Sequence, residues 1–350
     1  MAWHREDDER TWGGHGVPPL QIQMILAGDI GGTKTNVALF QMEGSDVGSV
    51  VRQQTFPSAG YDSLEAILSA FLAQHQQDIA AACFGIAAPV IEGQARPPNL
   101  KWSVNSDSLA RMLKIGRVGL INDLEATAHG IATLNSSQLL TLNPGEERSG
   151  ANRALVAAGT GLGTAGIIYR GHYDPLPSEG GHADFAPGTP EEIELLLYLR
   201  EKFGEHVSYE RVLSGPGLFN VYSFVRDQHK EAEPAWLAEQ IATGDKTAAV
   251  SRAALEGKCE LAVKALEIFV SVYGAMAGNL ALVMLANGGL YVGGGIAPKI
   301  REKLKDGTFM KAFTRKGRLS SLVQAIPVHV ILEDKTALFG AAHAALDFQR

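Results

Sequence analysis

The stretch 24-MILAGDIGGTKTNVALF-40 decides the architecture. An apolar run, Met24–Gly28, meets the turn-like Asp29-Ile30-Gly31-Gly32-Thr33-Lys34 and resumes as Asn36–Phe40. Apolar runs on either side of a glycine turn predict strand, tight turn, strand: a hairpin. The pattern returns at 154-ALVAAGTGLGTAGIIY-169, where strand Ala154–Ala158, glycine-rich turn Gly159–Thr164 and strand Ala165–Tyr169 repeat the opening. Each half of the chain thus presents a hairpin with a glycine-rich tip, a weak internal symmetry.

Working outward, the first half alternates. A helical stretch Tyr61–His75 precedes strand Ala80–Ile86, helix Ser106–Leu113, strand Val118–Ile121 and helix Leu124–Leu134. Such alternation is the mark of an α/β domain. Asn143–Asn152 is loop-like, and Thr189-Pro190-Glu191-Glu192 combines an N-cap, a first-turn proline and a capping glutamate, opening a helix that runs to about Phe203. The alanine-rich end, Lys335–Phe348, is helical. A chain of 350 residues suits two packed domains.

Composition excludes several classes of function. A net charge of −7 argues against a nucleic-acid binder, which concentrates basic residues on one face. Cys83 and Cys259 sit far apart among apolar neighbours, which fits buried thiols in a reducing, cytoplasmic compartment rather than a disulfide framework. Residues 1–23 are polar and charged without a signal-peptide core, and are expected to form a disordered extension, with Met24 a candidate start. Ile268–Pro298 carries no charged residue, yet its glycines and asparagines divide it into a small-residue helix, a turn and a short strand. A buried core element is expected there, not a membrane span.

Glycine tips let backbone N–H groups converge on an anion, because glycine reaches φ > 0 and carries no side chain to block approach. Gly31, Gly32 and Thr33 can act so, and Asp29 beside them makes sense as an outer partner for Mg²⁺ that keeps its waters. The second tip lacks the helix of a dinucleotide fingerprint, and no Walker-type Gly-Lys-Ser/Thr occurs. Gly293-Gly294-Gly295 follows strand Leu290–Val292 and precedes a helix near Lys299. It could border an adenosine or merely permit tight packing.

Asn122 and Asp123 end a strand where ligands gather in α/β sheets. Asp123 is either an N-cap or a general base toward a hydroxyl, with Asn122 orienting the substrate. Glu179, His182 and Asp184 crowd one loop. A metal site of this spacing normally lies on a helix, which Gly180-Gly181 disfavours, and polyhydroxylated rings need just such donors and acceptors. Glu210 precedes the turn Leu213-Ser214-Gly215-Pro216-Gly217 and by itself reads as a surface charge.

Taken in order, Gly28-Asp29-Ile30-Gly31-Gly32-Thr33, Ile121-Asn122-Asp123, Gly159-Thr160-Gly161-Leu162-Gly163, Glu179-Gly180-Gly181-His182-Ala183-Asp184-Phe185 and Glu210–Gly217 closely resemble the bacterial glucokinase family. The type is the non-repressor one of proteobacteria and cyanobacteria, and the likeness runs from Met24 to the end. It implies a two-domain hexokinase/actin-like (ribonuclease H-like) α/β fold with an interdomain cleft. The small domain would span 24–133 plus the C-terminal helix 335–350, and the large one 134–334. It further implies ATP with Mg²⁺ as cofactors, glucose as partner, a homodimer, and no membrane or nucleic acid. Asp123 would be the catalytic base. Asn122, Asp123, Glu179, His182 and Glu210 would hold the sugar. Gly28, Asp29, Ile30, Gly31, Gly32 and Thr33 would straddle the phosphates with Gly159, Thr160 and Gly161, while Gly293 and Gly294 bordered the adenosine. The Cys-rich zinc motif of repressor relatives is missing from this chain. A sugar sensor without catalysis and a metal hydrolase centred on Glu179, His182 and Asp184 are the rival classes.

Overall fold

The computed structural model describes residues 23–73, 78–228 and 232–348. The expected extension 1–23 lies outside them except for Gln23. In chain order, the first half comprises β1 (Met24–Ile30), β2 (Lys34–Glu43), β3 (Asp46–Pro57), α1 (Leu64–Leu72) and β4 (Ile79–Ile86). Three short strands follow, β5 (Val90–Ile91), β6 (Gln94–Ala95) and β7 (Val104–Asn105), then α2 (Ser106–Leu113), β8 (Gly119–Asn122) and α3 (Asp123–Gly130). The second half comprises β9 (Leu139–Asn143), β10 (Arg153–Ala158), β11 (Leu162–Tyr169) and β12 (Tyr173–Ser178), then helices α4 (Pro190–Phe203), α5 (Gly215–Gln228), α6 (Ala235–Thr243), α7 (Lys246–Leu255) and α8 (Glu260–Met284). It closes with β13 (Leu290–Gly293), α9 (Arg301–Lys305), α10 (Thr308–Thr314), α11 (Ser320–Gln324), β14 (Val328–Ile331) and α12 (Thr336–Asp347).

The internal symmetry of the sequence becomes a repeated sheet. The first sheet runs β3-β2-β1-β4-β8 and the second β12-β11-β10-β13-β14-β9. In each, a hairpin (β1/β2 or β10/β11) pairs antiparallel, one later strand joins its first strand in parallel, and a second joins that one in parallel. Parallel neighbours need a crossover, which the intervening helices supply. Ligands of such sheets gather at the carboxyl ends of the parallel strands, and both glycine tips project there.

Three packing details aim these sheets. α1 and α2 cover one face of the first sheet, burying Leu64, Ile67, Phe71 and Leu109 on Leu26, Val37 and Phe84. α12, from the end of the chain, covers the other face, where Ala341, Ala342 and Ala345 meet Ile25, Ala27 and Phe40. α3 and α12 touch backbone to backbone: a Cβ on Gly340 would stand 1.8 Å from Ala126 O, and one on Gly130 would stand 2.0 Å from Thr336 O. α8 is long and apolar enough to cross a membrane by composition. Phe269, Val270, Tyr273 and Ala277 are nonetheless fully buried in the second core, as expected of a core element. Cys83 and Cys259 are buried free thiols.

Some boundaries move. α3 ends at Gly130 and continues as a short 3-10 turn, Ile131–Thr133, instead of reaching Leu134 as one helix. The second hairpin turn shortens to Gly159–Gly161, because Leu162 already pairs with Ala158. The helix after Gly293–Gly295 starts at Arg301, two residues later than Lys299.

Candidate active site

Asn122 pairs with Ile86, and Asp29 with Gly85, so both stand at the carboxyl ends of strands with β4 between them. Asn122, not Asp123, is the N-cap of α3: its Oδ1 accepts from Leu124 N at 2.8 Å, and its amide donates to Ala88 O at 3.4 Å. Asp123 opens the helix, with Oδ1 2.9 Å from Leu124 N. Gly85 allows this seat, since a Cβ there would lie 2.7 Å from Ala126 Cβ.

Burial is the main force pushing the Asp123 carboxyl up to about 6, and the nearby charge of Asp29 is second. The charge of Glu179 acts in the same direction, while hydrogen bonds from Leu124 and Asp123 backbone oppose it. Two further carboxylates thus act on Asp123, and burial together with their charge holds its proton affinity above that of an ordinary carboxyl. A carboxyl tuned in this way suits proton transfer at physiological pH. Burial raises Asp29 as well, countered by a hydrogen bond from Asn36 Nδ2 at 3.2 Å and the charge of Lys34. Asn36 is fixed in turn by Thr55 Oγ1, 2.7 Å from its Oδ1.

The first tip is braced from below. Gly31 N donates to Lys34 O at 3.0 Å, and the buried Ser58 donates its hydroxyl to Gly31 O at 2.7 Å. Thr35 stands 2.9 Å from that hydroxyl, and Ser58 N donates to Thr33 O. Thr33 and Lys34 are exposed. Gly28 is a packing residue, its missing Cβ replaced by the Phe84 ring, and Ile30 is fully buried with its carbonyl taken by Ala87 N. These two anchor the tip. Left-handed backbone is found at neither Gly31 nor Gly32, nor at Gly159 or Gly161, which corrects one of the two reasons given for glycine there. At Gly32 and Gly161 a neighbouring side chain leaves no room for a Cβ, whereas the space beside Gly159 is open. A Cβ on Gly32 would lie 2.9 Å from Asn99 Cβ, and one on Gly161 would lie 2.6 Å from Glu210 Oε2.

Glu210 is no loose surface charge: its Oε2 accepts from Leu162 N at 2.9 Å, beside the second tip. Glu179 and His182 are exposed and 4.0 Å apart across the short 3-10 turn Gly180–His182. Asp184, the third residue of the suspected metal loop, instead pairs with His206 Nδ1 at 2.8 Å. Among the described residues no three His, Cys, Asp or Glu side chains are placed to hold a metal. Glu179, His182 and Asp184 are thus not gathered around one point.

Gly294 does need its glycine. Its φ is +82°, and a Cβ would stand 2.3 Å from Ala158 O. Ile296 N then donates to that carbonyl at 3.2 Å, setting the third glycine cluster against the second tip. Beyond it opens a cavity of about 340 Å³ lined by Leu218, Asp245, Thr247, Ser251, Arg252 and Lys299, among others. Thr247 and Ser251 left no mark in the sequence, lying in an ordinary helix. Asn36 left one: it is 5 % exposed inside an apolar strand, a polar residue where only apolar ones are expected.

The glucokinase family profile matches residues 26–348. The chain belongs to the glucokinase family. It is 44% identical to a glucokinase of Synechocystis over 345 residues, covering 92% of this chain and 97% of that one. A Nostoc glucokinase is 41% identical over 342 residues, covering 93% and 99%. The crystal structure of a glucokinase from an Antarctic psychrotroph superposes with a TM-score of 0.81 at 30% identity, covering 93% of this chain and 99% of that one. A ROK family glucokinase from Streptomyces griseus, solved with glucose and AMPPNP, shares the fold at a TM-score of 0.58, with 21% identity and coverage of 93% and 99%. The fold is accordingly the two-domain hexokinase/actin-like one, with glucokinases and ROK sugar kinases as its structural neighbours.

Proposed function

We propose that this chain transfers the terminal phosphoryl group of ATP to the 6-hydroxyl of glucose, giving glucose 6-phosphate and ADP. What supports this is the place of Asp123: it opens α3 directly after parallel strand β8, with β4 between that strand and the one bearing Asp29, and burial raises its carboxyl to about 6. In its ionised form it accepts the proton of the attacking hydroxyl, a role worth about 10²–10⁴-fold in rate. Asn122, Glu179, His182 and Glu210 present the polar groups that fix a sugar's other hydroxyls. The tips Gly31–Thr33 and Gly159–Gly161 hold the nucleotide phosphates through amides other than those of Gly31 and Gly159, which donate to Lys34 O and Gly161 O inside their own turns, and the cavity beyond Gly293 and Gly294 takes the adenosine. Phosphoryl transfer asks little covalent chemistry of a protein, so positioning and charge neutralisation dominate.

The site fits Mg²⁺ as a partner of the nucleotide. Asp29 offers one carboxylate, oriented by Asn36, and a cation bound mostly through water and phosphate needs no more. The ion would neutralise charge on the phosphate oxygens. We also divide the chain into a small domain, 24–133 with 335–350, and a large one, 134–334, supported by the packing of α12 on the first sheet. The family resemblance favours a cytoplasmic homodimer.

The test is a panel of hexoses against ATP and polyphosphate, scored for a 6-phosphate product, with Asp123→Ala alongside. Glucose with ATP is the expected pair, and the variant should bind glucose but lose at least about 10²-fold in kcat. Near-full turnover by Asp123→Ala would remove the base.

A further inference from the structure

The second glycine hairpin touches every segment assigned above to the sugar. Leu162, the first residue after its tip, donates its N–H to Glu210 Oε2 at 2.9 Å. The carbonyl of Leu162 lies so close to Gly181 that a Cβ on Gly181 would stand 1.9 Å from it. One residue on, a Cβ on Gly163 would stand 2.5 Å from the Leu124 side chain, next to Asp123. On the other side of the tip, Gly159 O accepts from Gly215 N at 2.8 Å, and Gly215 O accepts from Thr247 Oγ1 at 2.8 Å, on the wall of the 340 Å³ cavity. Glu210 is itself braced, since Ser214 Oγ donates to its carbonyl at 2.8 Å and accepts from Gly217 N at 3.0 Å. The motif Glu210–Gly217 is thus a rigid bracket between the two ligands' walls.

From this arrangement we infer that Glu210 is a positioning residue that couples sugar occupancy to the geometry of the second phosphate hairpin through the N–H of Leu162. The inference rests on the kinase reading above. One carboxylate oxygen holds the hairpin, and the other has no protein partner among the described residues, which leaves it to a sugar hydroxyl. A hydroxyl donated to Oε1 fixes the rotation of the carboxylate, and therefore the direction from which Oε2 meets Leu162 N. That bond is charge-assisted and so directional and strong. Because Gly159 to Gly161 lead straight into Leu162, the amides that face the phosphates are set by the same contact. A Cβ on Gly161 would press on the same carboxylate oxygen, 2.6 Å away. By linkage, whatever the sugar does for the nucleotide, the nucleotide must do for the sugar.

The experiment measures glucose and Mg·AMPPNP affinities separately, each without the other ligand, by calorimetry on the full chain. Gly161→Ala places a methyl group against Oε2 at a backbone conformation that alanine tolerates. It should weaken glucose by roughly fivefold or more with no nucleotide present, although residue 161 is not assigned to the sugar. Glu210→Ala frees Leu162 N and should weaken AMPPNP by roughly fivefold or more with no sugar present. Glu210→Gln keeps an oxygen that can accept from Leu162 N, so its AMPPNP affinity should stay near wild type while glucose binding falls. A purely structural role would not separate Gln from Ala in this way. Unchanged glucose affinity in Gly161→Ala, or equal AMPPNP affinities in the Gln and Ala variants, overturns the coupling. If the wild-type chain binds neither ligand, the kinase reading fails first and takes the coupling with it.

Discussion

Replacing the base with its neutral isostere should make the protein more stable while disabling it. In Asp123→Asn the amide keeps the shape of the side chain, and its oxygen can still accept from Leu124 N. What disappears is an ionised carboxylate held against burial and against the charges of Asp29 and Glu179. The folded protein raises this group from an ordinary 3.8 to about 6, and each unit of that difference is worth 1.36 kcal/mol. Above pH 6 the charged form therefore costs the native state about 3 kcal/mol relative to the unfolded chain. Below pH 3.8 both states bind the proton and the variant has no advantage; the gain grows as pH rises toward 6 and is then complete. At pH 8 the whole of it should appear, and at pH 4.5 only about 1 kcal/mol. At about 2 °C per kcal/mol for a chain of this size, the melting temperature should rise by roughly 6 °C at pH 8 and by about 2 °C at pH 4.5. Differential scanning fluorimetry at the two pH values, with a coupled activity assay, tests both halves. A variant no more stable than wild type at pH 8, or equally stabilised at both pH values, would refute the assignment of a strained charge to Asp123.

Two further outcomes follow from the same geometry. The pH profile of kcat/KM for glucose should fall on the acid side with a midpoint near 6, because Asp123 must be unprotonated to accept a proton; a midpoint near 4 would mean that its environment is not the one described. Gly85→Ala should press a methyl group to within 2.7 Å of Ala126 Cβ, cost about 1–3 kcal/mol, and shift α3 with Asp123 on it. A displacement of that kind lowers kcat by roughly tenfold or more, and steady-state kinetics that left kcat intact would show that α3 takes up the strain elsewhere.

How much was legible differs from element to element. The two hairpins were plain because apolar runs broken by glycine and threonine leave few alternatives to strand-turn-strand, and β1/β2 and β10/β11 follow them closely. α4 and α2 were plain because their caps are local: Thr189 accepts from Glu192 N and Asn105 from Ser108 N. The site motifs were legible as residue types in family order. Their partners were not, because those partners are distant in sequence. Asp29 is oriented by Asn36, which Thr55 fixes, and Glu210 holds Leu162 across 48 positions. The cavity residues Thr247 and Ser251 belong to a helix whose composition is unremarkable, so only its docking beside Gly215 marks them.

Local chemistry, written in order along the chain, determined which strands and helices form, that two similar halves exist, and that carboxylates sit at strand ends. Only tertiary packing decided why two of the tip glycines leave no room for a Cβ. Gly32 and Gly161 yield to Asn99 and Glu210, neighbours that no spacing rule brings together. Packing also chose Asn122 over Asp123 as the helix cap, leaving the aspartate's charge only partly offset by backbone amides in a half-buried place. A backbone conformation is set by a residue and its nearest neighbours. A raised proton affinity is set by everything that excludes water, and that exists only once the chain has closed around it.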